Sequence, residues 1–236
     1  MPEDDLRQIR EYWDFAVDAA WDQNRRHPEL SRGTCLRERS FLHTLLGSNQ
    51  TPLFMEACRL ADRSAEKKQM QTLLPDILDY CRKRNALPQD PDGFEPGSSF
   101  RYEVGPGGVC YIHIRNGKKP DSFLHFPEYV AENLRRVMDS AARDHGCSVL
   151  YTASWLNSLP AFLHYFPQEW KSNISNTPAG DFGPTLGWQG QFINRAGFLN
   201  RATADMFLRT GVLPYPRVQS RCSFAAAHEH LRSLGL

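Results

Sequence analysis

The run Pro88-Gln89-Asp90-Pro91-Asp92-Gly93-Phe94-Glu95-Pro96-Gly97 constrains this chain more than any other stretch. Three prolines, two glycines and two aspartates in ten residues stop any helix, and no interior strand tolerates them. The periodicity of the chain changes across this run. Before it, apolar residues recur three and four apart, and after it they alternate.

On the N-terminal side, Leu6, Ile9, Trp13, Ala16, Val17, Ala20 and Trp21 share one helical face, and Pro28 lies just past the expected end. A second helix is expected over about 35–46. Thr51-Pro52 supplies an N-cap and a proline at the first helical position for a third. Met70, Leu73, Leu74, Ile77, Leu78 and Cys81 mark a fourth, with Pro75 as a kink.

On the C-terminal side, 100–104 and 109–115 alternate as two strands about the turn Gly105-Pro106-Gly107-Gly108. A helix is expected over 127–145, with Gly146 as its C′ residue. A strand over 148–156, a short helix over 160–170 and a long polar loop over 172–187 follow. A fourth strand is expected over 188–193, and helices over 201–210 and 223–234. The fold class is therefore α+β: a helical half (1–90) packed on a small, mostly antiparallel sheet of three or four strands (98–236). The two halves are expected to form a single domain.

Lys and Arg number 28 against 27 Asp and Glu, a net charge of +1. Nucleic acid is an unlikely partner for so balanced a chain, because phosphate contacts need a basic excess. No apolar run reaches membrane-spanning length. The acidic start, Met1-Pro2-Glu3-Asp4-Asp5, is unlike a secretion signal, and the six cysteines never fall as C-x-x-C. The expectation is a cytoplasmic protein with free thiols. Cys222, next to Arg221 and a helix start, is the thiol expected to be reactive if any is.

The pattern 109–116 holds the main candidates for chemistry. Alternation puts Cys110, Ile112 and Ile114 on one face and Tyr111, His113 and Arg115 on the other. His113 has the ordinary pKa of a general base, and Arg115, with Asn116 following, can clamp an anion. The plainer reading is a solvated sheet face. Ser154 and Asn157, at a strand-to-helix junction, can donate hydrogen bonds to a substrate or simply cap the helix. Gln191 and Arg195 can form a polar wall after the long loop, or belong to a bulged edge strand. No local spacing of metal ligands occurs, and His113, His125 and Asp121 are the one set that could meet in space.

From the hairpin to Tyr165 the order is strand, strand, helix, strand, helix, with Asn157 opening the last helix and Tyr165 near its end. Over about a quarter of the chain this resembles the second half of a Gcn5-type acetyltransferase. Lys118-Lys119-Pro120-Asp121-Ser122 stands where that family places its glycine-rich pyrophosphate loop. The resemblance implies coenzyme A as cofactor and acyl transfer as the reaction. The functional expectation is an enzyme acting on a small anionic metabolite. His113 and Ser154 would be catalytic, and Arg115, Asn116, Asn157, Gln191 and Arg195 would bind substrate. The alternative is a non-catalytic ligand-binding or protein-interaction module.

Overall fold

A computed structural model describes residues 2–40, 42–46, 51–84, 93–176 and 190–236. The chain divides into two compact units, Met1–Asp90 with Gly180–Pro214, and Pro91–Ala179 with Tyr215–Leu236. The fold class is α+β, with one five-stranded mixed sheet.

The first unit is helical. It contains helices α1 (Glu3–Arg26), α2 (Arg32–Arg39), α3 (Leu42–Leu46), α4 (Pro52–Arg63) and α5 (Leu74–Arg84), with a 3-10 segment, Lys67–Leu73, leading into α5. The start of α4 follows its sequence signal, since the Thr51 hydroxyl accepts from the Phe54 N–H. Pro75 lies in the first turn of α5, where its missing N–H costs nothing, and the expected kink is a helix start instead. Trp13, Tyr12, Phe54, Leu36 and Phe192 are fully enclosed in the unit's core.

The second unit is built on the sheet. Strands β1 (Phe100–Gly105) and β2 (Val109–Ile114) form the expected hairpin. Helix α6 (Pro127–His145) crosses over to β3 (Val149–Ser154), which pairs parallel with β2. Gly146 ends α6 at φ 66°, a conformation glycine adopts without strain. Two short helices follow, α7 (Pro160–Leu163) and α8 (Gln168–Ser172), where the sequence suggested one. After them come β4 (Ser175–Asn176), then, beyond the returning segment, β5 (Val218–Ser223) and α10 (Phe224–Ser233). The strand order is β1-β2-β3-β5-β4.

Two expectations are corrected here. Within the strand expected over 188–193, whose first two residues lie outside the described ones, Gly190–Phe192 is a 3-10 turn and Ile193 forms an isolated bridge to Leu199; α9 (Arg201–Thr210) follows. The sheet instead gains β4 and β5, so it has five strands and includes one parallel pair. The loop expected over 172–187 lies outside the described residues from 177 onward.

One face of the sheet is the core. Phe100, Cys110, Ile112, Leu150 and Cys222 pack there against Val130, Leu134, Val137 and Met138 of α6, Phe224 and Leu231 of α10, and Phe162, Phe166 and Trp170. The opposite face carries Arg101 and Glu103, Tyr111 and His113, Tyr151 and Ala153, and Gln219 and Arg221, all half-buried or exposed.

Candidate functional site

The hairpin register places Arg101 directly opposite His113 and leaves Glu103 two residues along the same face. Arg101 donates from a terminal nitrogen to Glu103 Oε1 at 2.7 Å, and the other Glu103 oxygen lies 3.3 Å from His113 Nε2. That second approach is an ion-pair distance, and its geometry does not make a regular hydrogen bond. His113 Nε2 and Arg101 Nε are both shielded from solvent and have no hydrogen-bond partner among the described residues. The His113 side chain as a whole remains 40% exposed.

Burial and the neighbouring Arg101 charge push the His113 pKa below its ordinary value, against the opposing pull of Glu103. The shift favours the neutral imidazole. The Arg101 hydrogen bond, helped by His113, holds Glu103 below the usual carboxylate range. Neither Arg101 nor Glu103 was singled out from the sequence. The signal was available, because counting back from the 106–108 turn pairs position 101 with 113.

Arg115 continues the same strand. Its Nε donates to the Ser98 carbonyl at 2.8 Å and a terminal nitrogen to the Glu95 carbonyl at 2.9 Å. Phe94 lies against both guanidiniums, 4.8 Å from that of Arg115 and 5.5 Å from that of Arg101. Asn116 organises the next turn: its amide donates to the Asp121 carbonyl and its oxygen accepts from the Lys118 and Phe123 N–H groups. Further along the open face, Tyr111 and Tyr151 stack edge to face at 4.6 Å. The Tyr151 hydroxyl donates to Gln219 at 2.9 Å, and Gln219 in turn donates to Ser175. Gly105 makes room for this arrangement, since a Cβ there would sit 1.7 Å from the Tyr111 ring.

The parallel ladder between β2 and β3 ends after the Tyr111–Tyr151 pair. Just beyond it the Thr152 hydroxyl takes the Ile112 carbonyl at 2.9 Å, and each strand continues with its other neighbour. The carboxyl ends of parallel strands that part company in this way are where open sheets commonly receive ligands.

Ser154 and Asn157 belong to the other face. Ser154 alternates with Leu150 and Thr152, is buried, and its hydroxyl accepts from the Leu156 N–H, capping a 3-10 turn, Trp155–Ser158. The helix expected to open at Asn157 is therefore this turn followed by the four-residue α7. The Asn157 amide donates to the Thr152 and Val218 carbonyls, and its oxygen accepts from Trp170 Nε1 at 3.1 Å. Tyr165 is buried, with its hydroxyl donating to the Leu124 carbonyl. The sheet thus separates His113 from Ser154, placing them on opposite faces.

Gln191 and Arg195 lie in the first unit. Gln191 is buried, and its carbonyl accepts from the Asn200 amide, which caps α9. Arg195 is exposed in a turn held by Asn194, whose oxygen accepts from three successive N–H groups.

The cysteine expectation is corrected. Cys222 is buried and its pKa is pushed up to about 12, first by burial and then by Glu169. Desolvation on a core-facing strand position outweighs the neighbouring charge and helix start. All six cysteines are free and buried. Among the described residues no group of three or more His, Cys, Asp or Glu gathers for a metal, so His113, His125 and Asp121 do not form one. Among the described residues no helix is long and apolar enough to cross a membrane. No family model matches this chain, and no curated protein or solved structure matches it significantly.

Proposed function

We propose that the open face of the sheet carries an enzyme site for a small anionic metabolite, with His113 as general base. One observation supports this reading above the rest: a partly exposed histidine opposite the Arg101 guanidinium and 3.3 Å from the Glu103 carboxylate, with its pKa held down by burial. A neutral imidazole at pH 7 can accept a proton, and a partly desolvated one does so without first shedding tightly held water. Arg101, whose side chain is 27% exposed, supplies the positive charge that would favour a carboxylate or phosphate. In this reading Arg115 and Asn116 shape the rim through the main-chain groups they hold. Ser154 and Asn157 fix the end of β3 from the core side.

Group transfer, and acyl transfer within it, is the reaction class. The base would take the proton from an attacking hydroxyl, amine or thiol as the acyl carbon is attacked. Coenzyme A thioesters are the donors to try first, on the strength of the element order shared with Gcn5-type acetyltransferases. Six free buried thiols favour a reducing compartment, in keeping with the cytoplasm.

A non-catalytic ligand-binding or interaction role is the second reading. It is favoured by the Asn157 amide, which is wholly engaged with main-chain and indole groups.

The test is a thermal-shift screen of acyl-coenzyme A thioesters, phosphorylated metabolites and dicarboxylates. It would compare the wild type with His113→Ala and Arg101→Gln. A ligand at 100 times its dissociation constant adds about 2.7 kcal/mol to the folded state. A compound that stabilises the wild type, loses its effect in both variants and is turned over supports the enzyme. Binding without turnover supports the second reading. The absence of any shift, with all three proteins equally folded, overturns both.

A further inference from the structure

We propose that Glu103 is the positioning residue of this site: its carboxylate keeps the ring proton of neutral His113 on Nε2, so that Nδ1 is the atom that receives a proton from the ligand. The inference rests on the reading of His113 as a base, and it names the atom and the partner that set it.

A neutral imidazole carries one N–H, and the acceptors around it decide which nitrogen holds that proton. Glu103 is pinned between two donors. One oxygen takes the Arg101 guanidinium at 2.7 Å, and the other faces Nε2 at 3.3 Å. An ionised carboxylate only accepts. With the ring protonated on Nδ1, the electron-rich Nε2 lies 3.3 Å from an anionic oxygen, a repulsion even though the two are not aligned for a regular hydrogen bond. A ring protonated on Nε2 turns the same contact into an attraction. Because Nε2 is shielded while much of the ring is exposed, the ring's accessible part excludes Nε2. A ligand meets the ring from the other side.

The proton balance is simple. The nucleophile's X–H bond gives its proton to Nδ1, and its electron pair stays on X and forms the new bond to the acyl carbon. The bond from the acyl carbon to the leaving group then breaks, its electron pair going to the leaving group, and the imidazolium, with Nε2–H against Glu103, gives that group the Nδ1 proton. The charged and titratable groups facing the ring are Arg101 and Glu103 on β1, with Tyr111 on β2 and Arg115 just past its end beside it. Of these, Glu103 favours the imidazolium and Arg101 opposes it.

The experiment uses the full chain labelled with 15N-histidine and reads the ring nitrogens by long-range proton–nitrogen correlation, without any ligand. His113→Gln identifies the signal by removing it. In the wild type above the histidine transition, the expected pattern is a protonated Nε2 and an unprotonated Nδ1. In Glu103→Gln and Glu103→Ala, whose side chain is exposed, the Nδ1–H form should grow several-fold and the His113 transition should move to lower pH. Arg101→Gln should move it to higher pH. A wild-type ring protonated on Nδ1, or a tautomer and transition unchanged by both Glu103 variants, overturns the inference. The two proposals fail separately: the expected tautomer with no ligand in the thermal screen overturns the enzyme and leaves Glu103 as the residue that sets the ring. A ligand lost in His113→Ala, with the proton on Nδ1, overturns Glu103 alone.

Discussion

Two polar clusters sit on the two faces of one sheet, and they are built oppositely. On the core face, the Asn157 amide has both roles filled: two carbonyls accept from it and one indole donates to it, all buried. Ser220 nearby donates to the Trp170 carbonyl at 2.5 Å. On the open face, Arg101, Glu103 and His113 are charged or titratable, half-exposed, and leave two shielded nitrogens unpartnered. A filled buried network fixes a structure, because each missing bond there would cost the whole desolvation of its partner. A half-exposed cluster does little for stability, and its solvent-facing atoms stay open to a ligand. The contrast separates scaffold from site on physical grounds.

The comparison breaks most readily at Asn157. Asn157→Ala strands the Trp170 indole N–H and two carbonyls in the core, and about 3 kcal/mol of stability should be lost. Urea denaturation followed by tryptophan fluorescence measures it, and a loss below about 0.5 kcal/mol would remove the scaffold half of the argument. Trp170→Phe keeps most of the packing and orphans only the Asn157 oxygen, so about 1–2 kcal/mol is expected. Thr152→Val, which removes the single bond to the Ile112 carbonyl, should cost about 1 kcal/mol and loosen the end of the β2–β3 ladder. On the open face, Glu103→Gln and His113→Gln should change stability by less than about 1 kcal/mol, since ion pairs this exposed are worth little. Their effect belongs to ligand binding.

How much of this was legible in the sequence follows the same physics. Helix ends read correctly where a local residue decides them: Thr51 with Pro52, and Gly146, sit at the ends they signal. The hairpin read correctly because glycines and a proline separate two alternating runs. Strand β5 was missed because Val218-Gln219-Ser220-Arg221-Cys222-Ser223 puts a serine at a core-facing position. Ser220 is buried through its bond to Trp170, which no alternation pattern reports. His113 was placed on the correct face by alternation alone. Its partners Arg101 and Glu103 needed the pairing register, and the role of Asn157 needed Trp170, thirteen residues away. Candidates whose donors face main-chain carbonyls, such as Arg115, look like ligand-binding residues in a sequence, because no motif records which carbonyl will stand opposite.

The smallest effect sharpens the comparison most, because only one of the two faces titrates. His113 has a folded pKa below its unfolded value near 6.5. The unfolded chain therefore binds that proton first as pH falls. Its contribution to stability is complete above the unfolded value. It declines as pH drops through 6.5 toward the folded pKa and stays level below, where both states are protonated. Glu103, also depressed, adds a separate loss at lower pH, beginning near its unfolded value of 4.5. With the ring 40% exposed, solvent screening keeps the histidine effect modest. Urea midpoints taken between about pH 8 and pH 5 should fall in the wild type and fall less in His113→Gln. Asn157→Ala should lower every midpoint by a similar amount and leave the slope alone, because no group in its network titrates in that range. If His113→Gln keeps the full acid loss, the fold is not holding that ring neutral, and the open face loses the feature that distinguishes it from an ordinary solvated sheet.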